Sequence, residues 1–355
     1  MNAHPRLTTP LTELVGIRYP IVQTGMGFVA GSGLVAATSS AGGLGILASA
    51  TMSYEELVKA VAEVKARTDA PFGVNMRADQ PDVKDRIDLL VREGVRVASF
   101  AMAPKQDLIK RAQDGEVLVI PSIGAKRHAE KVAAWGVDAV LVQGGEGGGH
   151  TGSVPTSLLL PQVVDSVDVP VIAAGGYFDG RGLVAALAYG AAGIAMGTRF
   201  LLTSDNDVPQ SVKDVYLSKT VNDTVVTTEV DGVPHRVLNS PLVEELEAKG
   251  ATRRLLGASR SALRFKKESH TPWSALIKES RAMRSSQELS WSQVLMAANT
   301  PTFLKAAMVD GRTDLGVMAS GQVVGVIDDL PTCKELIERI VTQATEVLID
   351  LGARP

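Results

Sequence analysis

The sequence predicts an α/β fold, a (β/α)8 (TIM) barrel with a helical cap region inserted late in the chain. Three observations carry this: eight short apolar runs, the regular spacing between their starts, and helical patterns that fill the intervals. The runs are Pro20 to Gln23, Leu44 to Ala48, Pro71 to Asn75, Arg96 to Phe100, Val117 to Pro121, Asp138 to Gln143, Val169 to Ala174 and Gly193 to Gly197. They are nearly continuous rather than alternating, as strands covered on both faces of a parallel sheet must be. Their starts recur every 21 to 31 residues, enough for one strand, one helix and two short loops. Eight such units by residue 200 favour closure over an open doubly wound sheet.

The intervening segments read as helices. SYEELVKAVAEVKART, PDVKDRIDLLVREG, AKRHAEKVAAWG and DGRGLVAALAYG place apolar residues three and four apart. Gly94, Gly115, Gly136 and Gly190 follow these patterns shortly before the next strand, where a helix C-cap calls for a left-handed residue. The barrel is expected over residues 1–200. From Leu201 the alternation stops: residues 201–309 read as a cap, helix-rich from about Pro241 to Met308. Residues 310–355 read as a glycine-rich loop and a long amphipathic helix returning to the barrel, started by the DDLPT turn.

Composition narrows the function. The 355 residues carry 36 Lys plus Arg against 39 Asp plus Glu, a net charge of -3, so there is no global basic field to hold nucleic acid or an anionic membrane. One cysteine, Cys333, rules out an internal disulfide and a thiolate metal cluster, and a cytoplasmic location is expected. The charge-free stretch from Tyr19 to Tyr54 is broken by seven glycines and eight Ser or Thr, so it reads as buried core and not as a membrane span. The N-terminus lacks the pattern of a secretory signal. Association into a homo-oligomer is compatible with all of this.

In a barrel of this type the site lies at the C-terminal ends of the strands. The first run is followed by Gln23-Thr24-Gly25-Met26-Gly27, the third by Asn75-Met76-Arg77 and the fifth by Pro121-Ser122-Ile123-Gly124. Gly175-Gly176 and Gly197-Thr198 end the seventh and eighth. Small residues at two adjacent strand ends let backbone amides approach an anion, which makes a phosphate cradle. The sixth run ends in QGGEGGGHTG, Gln143 to Gly152, with six glycines around His150. Such a loop leaves room for a flat ligand, and an imidazole, with an ordinary pKa of about 6.5, suits a general base. His4, His128, His235 and His270 are read as structural. No metal site is expected: HExxH and CxxC patterns are absent, and in sequence Glu146 is the acidic neighbour of His150. The dinucleotide-like GSGLVAATSSAGG has Gly31 and Gly33 but Ala36 at the third glycine position, and it is discounted.

PIVQTGMG, GVN, QGGEGGGHTG, AAGGYFDGRG and MGTRF, in this order and spacing, resemble the nitronate monooxygenase (nitropropane dioxygenase) family of FMN-dependent barrels. The resemblance covers Pro20 to Thr203 and extends loosely to GQVVGVIDD. It implies FMN as cofactor, with its phosphate at Gly175, Gly176, Gly197 and Thr198. It places Gly25 and Met26 by the isoalloxazine ring, and Asn75, Ser122, Gln143 and Gly148 around the ring and ribityl chain. It makes His150 the catalytic histidine, taking a proton beside an activating group while flavin accepts electrons. EGGG and TGMG replace the EAGG and PMAG runs common among the family's oxygenases. This variant and the long C-terminal region look more like an actinobacterial subgroup, the flavin-dependent dehydrogenases of steroid-ring degradation, which implies redox chemistry on a CoA thioester.

One feature of the residues agrees. TRRLLGASRSALRFKK carries Arg253, Arg254, Arg260, Arg264, Lys266 and Lys267 with no acidic residue, a match for the phosphates of coenzyme A. The expected function is therefore an FMN oxidoreductase that dehydrogenates, or reduces, an acyl-CoA at its α,β bond. A nitronate monooxygenase and a non-catalytic barrel that binds a phosphorylated ligand are the two alternatives.

Overall fold

A computed structural model describes residues 3–101, 103–248 and 300–353. The eight barrel strands are β1 (Ile21–Gln23), β2 (Leu44–Ala48), β3 (Phe72–Met76), β4 (Val97–Phe100), β5 (Leu118–Ile123), β6 (Val140–Gln143), β8 (Val171–Ala174) and β9 (Gly193–Met196). All run parallel in that order, and β1 pairs with β9 through Ile21↔Ile194, Val22↔Ala195 and Gln23↔Met196, which closes the cylinder. Each strand coincides with one of the eight apolar runs, β3 and β5 extending past theirs to Met76 and Ile123, and the fold is a (β/α)8 barrel.

Two apolar layers hold it. Inside, Val22, Leu44, Ile46, Val97, Ile120, Leu141, Ile172 and Ala195 pack together. Leu11 and Val15 of α1 (Pro10–Val15) join this cluster, and Thr9 Oγ1 donates to the carbonyl of Ala192 at 2.6 Å. The first helix therefore plugs the N-terminal mouth and leaves the opposite mouth for chemistry. Outside, a larger layer fills the space between the strands and α2 (Ser32–Ser40), α3 (Tyr54–Arg67), α4 (Val83–Glu93), α5 (Gln106–Gln113), α6 (Lys126–Ala134), α7 (Thr156–Val164) and α8 (Gly180–Ala188).

Gly94, Gly136 and Gly190 adopt positive φ after their helices. Gly115 does not: Glu116 takes the left-handed position at φ 62°, and Gly115 is small because a Cβ there would lie 2.3 Å from Val91 Cγ2. The side-chain limit at that glycine is packing and not backbone conformation.

After β9 come α9 (Thr198–Leu201), α10 (Gln210–Leu217), α11 (Pro241–Ala248), α12 (Thr300–Met308) and α13 (Cys333–Ala353). The region from Leu201 holds more than helices. Strands β10 (Thr224–Thr227) and β11 (His235–Leu238) form an antiparallel hairpin, and β11 also pairs with β7 (Gly149–His150) of the glycine-rich loop. The β-branched run TVVT favours extended backbone, and the neighbouring strand gives its amides partners. Leu201, Leu202, Val212, Tyr216, Leu238, Met308, Met318 and Val324 build a separate core over this end of the barrel.

Helix α13 supplies the eighth position of the outer ring, packing against α8 and α2. Thr332 and Glu335 cap its start: Glu335 N donates to Thr332 Oγ1 at 3.1 Å and Thr332 N donates to Glu335 Oε2 at 2.9 Å. Leu336, Ile337, Ile340 and Ala344 are buried, and Gly180 N donates to Gln343 Oε1 at 2.7 Å. A Cβ at Gly180 would lie 2.4 Å from Ala344 N and 2.5 Å from Ile340 O, both backbone atoms. Gly180→Ala is expected to destabilise the protein by about 1–3 kcal/mol, the usual cost of overpacking, visible as a lower midpoint in urea. Among the described residues no helix is long and apolar enough to cross a membrane.

Candidate active site

The flavin-site candidates and His150 lie at or just beyond the C-terminal ends of the barrel strands. Gly25, just past β1, lies so near β3 that a Cβ on it would come within 2.4 Å of Asn75 Cβ. Asn75 Nδ2 donates to Ser99 Oγ at 3.2 Å. Met26 and Thr24 face Gly197: a Cβ at Gly197 would sit 3.2 Å from Thr24 Oγ1 and 3.3 Å from Met26 Sδ. Ser122 lies on β5 opposite Leu141 of β6. Gln143 ends β6 and donates from Nε2 to the carbonyls of Gly148 (3.2 Å) and His150 (2.9 Å), so the barrel wall holds the glycine-rich loop from below.

Gly175 and Gly176 follow β8 at φ 103° and 81°, a turn that side chains rarely permit. Their surroundings differ. Gly175 is pressed against Gly144 and Thr156, whereas a Cβ on Gly176 would meet nothing nearer than Glu146 Cβ at 3.7 Å. Thr198 is buried, and its Oγ1 accepts from Gly321 N at 3.0 Å. Gly321 in turn lies against the loop: a Cβ on Gly148 would come within 2.5 Å of Gly321 N. The segment after α12 therefore closes the space between β9 and the glycine-rich loop. Arg253, Arg254, Arg260, Arg264, Lys266 and Lys267 lie outside the described residues.

His150 stands on β7 with its side chain 62% exposed, opposite His235 of β11 in the strand register. The two rings lie 4.7 Å apart, tilted by 44°. Its acidic partner is not the one nearest in sequence. Glu146 caps α7 instead, accepting from Thr156 N at 2.9 Å and Thr156 Oγ1 at 2.7 Å. The partner is Asp231, in the hairpin connection between β10 and β11, whose Oδ2 lies 2.5 Å from His150 Nε2 and 3.4 Å from His235 Nδ1. Asp231 Oδ1 accepts from Val233 N at 3.1 Å, an Asx turn that fixes the carboxylate. Burial works to raise the pKa of Asp231, but hydrogen bonds from His150 and His235, and then their charges, outweigh it and hold the carboxyl well below the usual range. Arg236 braces the same loop through two bonds to the carbonyl of Gly145, at 3.1 and 2.9 Å.

Asp231, Arg236 and Gly321 were not singled out from the sequence, and His235 was read as structural. A signal existed for Asp231, His235 and Arg236: TVVTTEVDGVPHRVL has two β-favouring runs around Asp-Gly, the pattern of a hairpin. His150, Asp231 and His235 also form a group of three metal-ligand types with donor atoms within 4.8 Å of one another. The 2.5 Å between His150 Nε2 and Asp231 Oδ2 is a hydrogen-bond length. Ligands at about 2.0–2.1 Å around tetrahedral zinc stand ~3.3 Å apart, so this pair has hydrogen-bond spacing.

The model of the nitronate monooxygenase family matches residues 8–88 and 83–343. A protein of Rhodococcus jostii (strain RHA1), named (3aS,4S,5R,7aS)-5-hydroxy-7a-methyl-1-oxo-octahydro-1H-indene-4-carboxyl-CoA dehydrogenase, is 62% identical over 347 residues, 98% of each chain. The protein of the same name from Mycobacterium tuberculosis is 64% identical over 342 residues, 96% of each chain. Among solved structures, FabK from Thermotoga maritima superposes with a TM-score of 0.79 at 32% identity, over 97% of this chain and 98% of that one. A barrel matched along nearly its whole length by that model, with an imidazole at its open mouth, leaves one conclusion: the chain belongs to the nitronate monooxygenase family.

Proposed function

We propose that this chain is an FMN-dependent dehydrogenase of a CoA thioester, acting on a bicyclic indane-type carboxyl-CoA. The similarity of at least 62% along almost the full length to two proteins named for that activity carries the reading. The residues fit the cofactor. Gly176 is open, Gly197 faces Thr24 and Met26 across a gap that a Cβ would narrow, and Thr198 stands beside them. This is a cradle for a phosphate, with Gly175 shaping the turn. Gly25, Met26, Asn75, Ser122, Gln143 and Gly148 are the neighbours for the ring and ribityl chain. When bound, the flavin supplies a two-electron acceptor at the β carbon of the acyl group.

The rest of the chemistry falls to the chain itself. A thioester carbonyl makes the α carbon acidic, and His150 takes that proton; the Cα–Cβ double bond forms as hydride leaves the β carbon. Gln143, through the His150 carbonyl, holds the imidazole's backbone. The hairpin of β10 and β11 covers the loop from the outer side. The cap between residues 201 and 309 is the substrate region, and the cationic run Arg253 to Lys267 is assigned to the phosphates of coenzyme A.

Purified protein is expected to be yellow, and anaerobic addition of a bicyclic carboxyl-CoA to bleach its absorption near 450 nm, the usual band of oxidised flavin (~450 nm). A colourless preparation that stays colourless with added FMN overturns the cofactor. Oxygen uptake with propionate nitronate, with no bleaching by thioesters, selects the family's nitronate activity instead.

A further inference from the structure

An imidazole has two nitrogens, and a base needs one of them free while the other is held. Around His150 the structure separates these roles. Nε2 lies 2.5 Å from Asp231 Oδ2, whereas no protein hydrogen bond to Nδ1 is found among the described residues. Asp231 is buried, with its side chain 6% exposed, and is fixed from two further directions by Val233 N and His235. Burial works to raise its pKa, but the hydrogen bonds it accepts and the charges of the neighbouring imidazoles together hold the carboxyl below the usual range, in its ionised form. An ionised carboxylate only accepts, so His150 must hold its proton on Nε2, and the neutral ring then carries its lone pair on Nδ1.

We propose that Asp231 is a positioning residue for proton transfer, anchoring His150 through Nε2–H so that Nδ1 is the atom that takes the substrate proton. This rests on the reading of His150 as the base. His235 serves the same end indirectly, holding the carboxylate from the other side with Nδ1 while its buried Nε2 has no partner. The charged neighbours do not compete: Glu146 is engaged by Thr156, and the guanidinium of Arg236 by the Gly145 carbonyl and Thr224 Oγ1. Nor is the arrangement local in the chain, since Asp231 reaches His150 across 81 residues through the β7–β11 pairing.

The test has two arms. Long-range 1H–15N correlation spectra of protein labelled with 15N-histidine, with His150 assigned by its loss in His150→Gln, report the tautomer directly. The native protein is expected to show the Nε2–H form. In Asp231→Asn that preference is expected to be lost and kcat to fall roughly 10- to 100-fold, less than on removing the base itself, with KM little changed.

A native Nδ1–H tautomer, or an Asp231→Asn enzyme with unchanged tautomer and rate, overturns the proposal. So does stoichiometric metal whose removal by a chelator abolishes activity. The native spectrum needs no variant, so the proposal stays open to refutation even if Asp231→Asn fails to fold. Full activity in His150→Ala alongside the expected native tautomer removes the base reading and leaves the hydrogen-bonding arrangement standing, so the two failures are told apart.

Discussion

His150→Ala is expected to slow dehydrogenation of a CoA thioester by about 100-fold or more, the usual scale of general base catalysis, while the protein keeps its flavin. The side chain is largely exposed and makes no contact with the apolar cores, so its loss costs the fold little. Its contacts are Asp231 and the ring of His235, both at the edge of the hairpin. The measurement is single-turnover bleaching of flavin absorption under anaerobic conditions, which isolates the chemical step from any later re-oxidation. Turnover within a factor of a few of the native enzyme removes His150 from the mechanism.

Gly197→Val tests the other half of the site and has a different signature. Gly197 sits at φ -99°, so its backbone accepts a side chain without strain and the variant folds. The new Cβ lies 3.2 Å from Thr24 Oγ1 and 3.3 Å from Met26 Sδ, and its two methyls add bulk just beyond the ends of β1 and β9. Flavin binding is expected to weaken about tenfold or more, about 1.4 kcal/mol, with the far-ultraviolet circular dichroism unchanged. The ratio of flavin to protein after gel filtration gives the answer, and full occupancy moves the phosphate site elsewhere.

The barrel was legible because its signals are local. An apolar run covered on both faces, such as Val169 to Ala174, needs no distant information to be recognised as a strand, and the glycine pair after it, Gly175-Gly176, marks the strand end. The glycine-rich loop and His150 were visible for the same reason. What sequence order hid was the company His150 keeps. Glu146 is four residues away and Asp231 is 81, and the closer residue is claimed by the first turn of α7. The pairing of β7 with β11 decides this. Two residues flanked by glycine read as loop until a strand from the cap supplies their partners. The hairpin itself carried a readable Asp-Gly turn, but the helix-forming residues on either side of it dominated the pattern.

Helix α13 has a consequence for how the molecule is made. The last barrel strand ends at Met196, yet the helix that seals the cylinder's outer seam between α8 and α2 begins at Cys333. During synthesis at about 5–20 residues per second, the nascent chain waits on the order of 10 s with all eight strands emerged and that seam bare. The faces of α2 and α8 that α13 covers lack that cover throughout this interval. Final closure is thus a late event, in which Leu336, Ile337 and Ile340 cover the gap. Until then the ribosome-bound intermediate offers chaperones a hydrophobic cleft that the finished protein lacks.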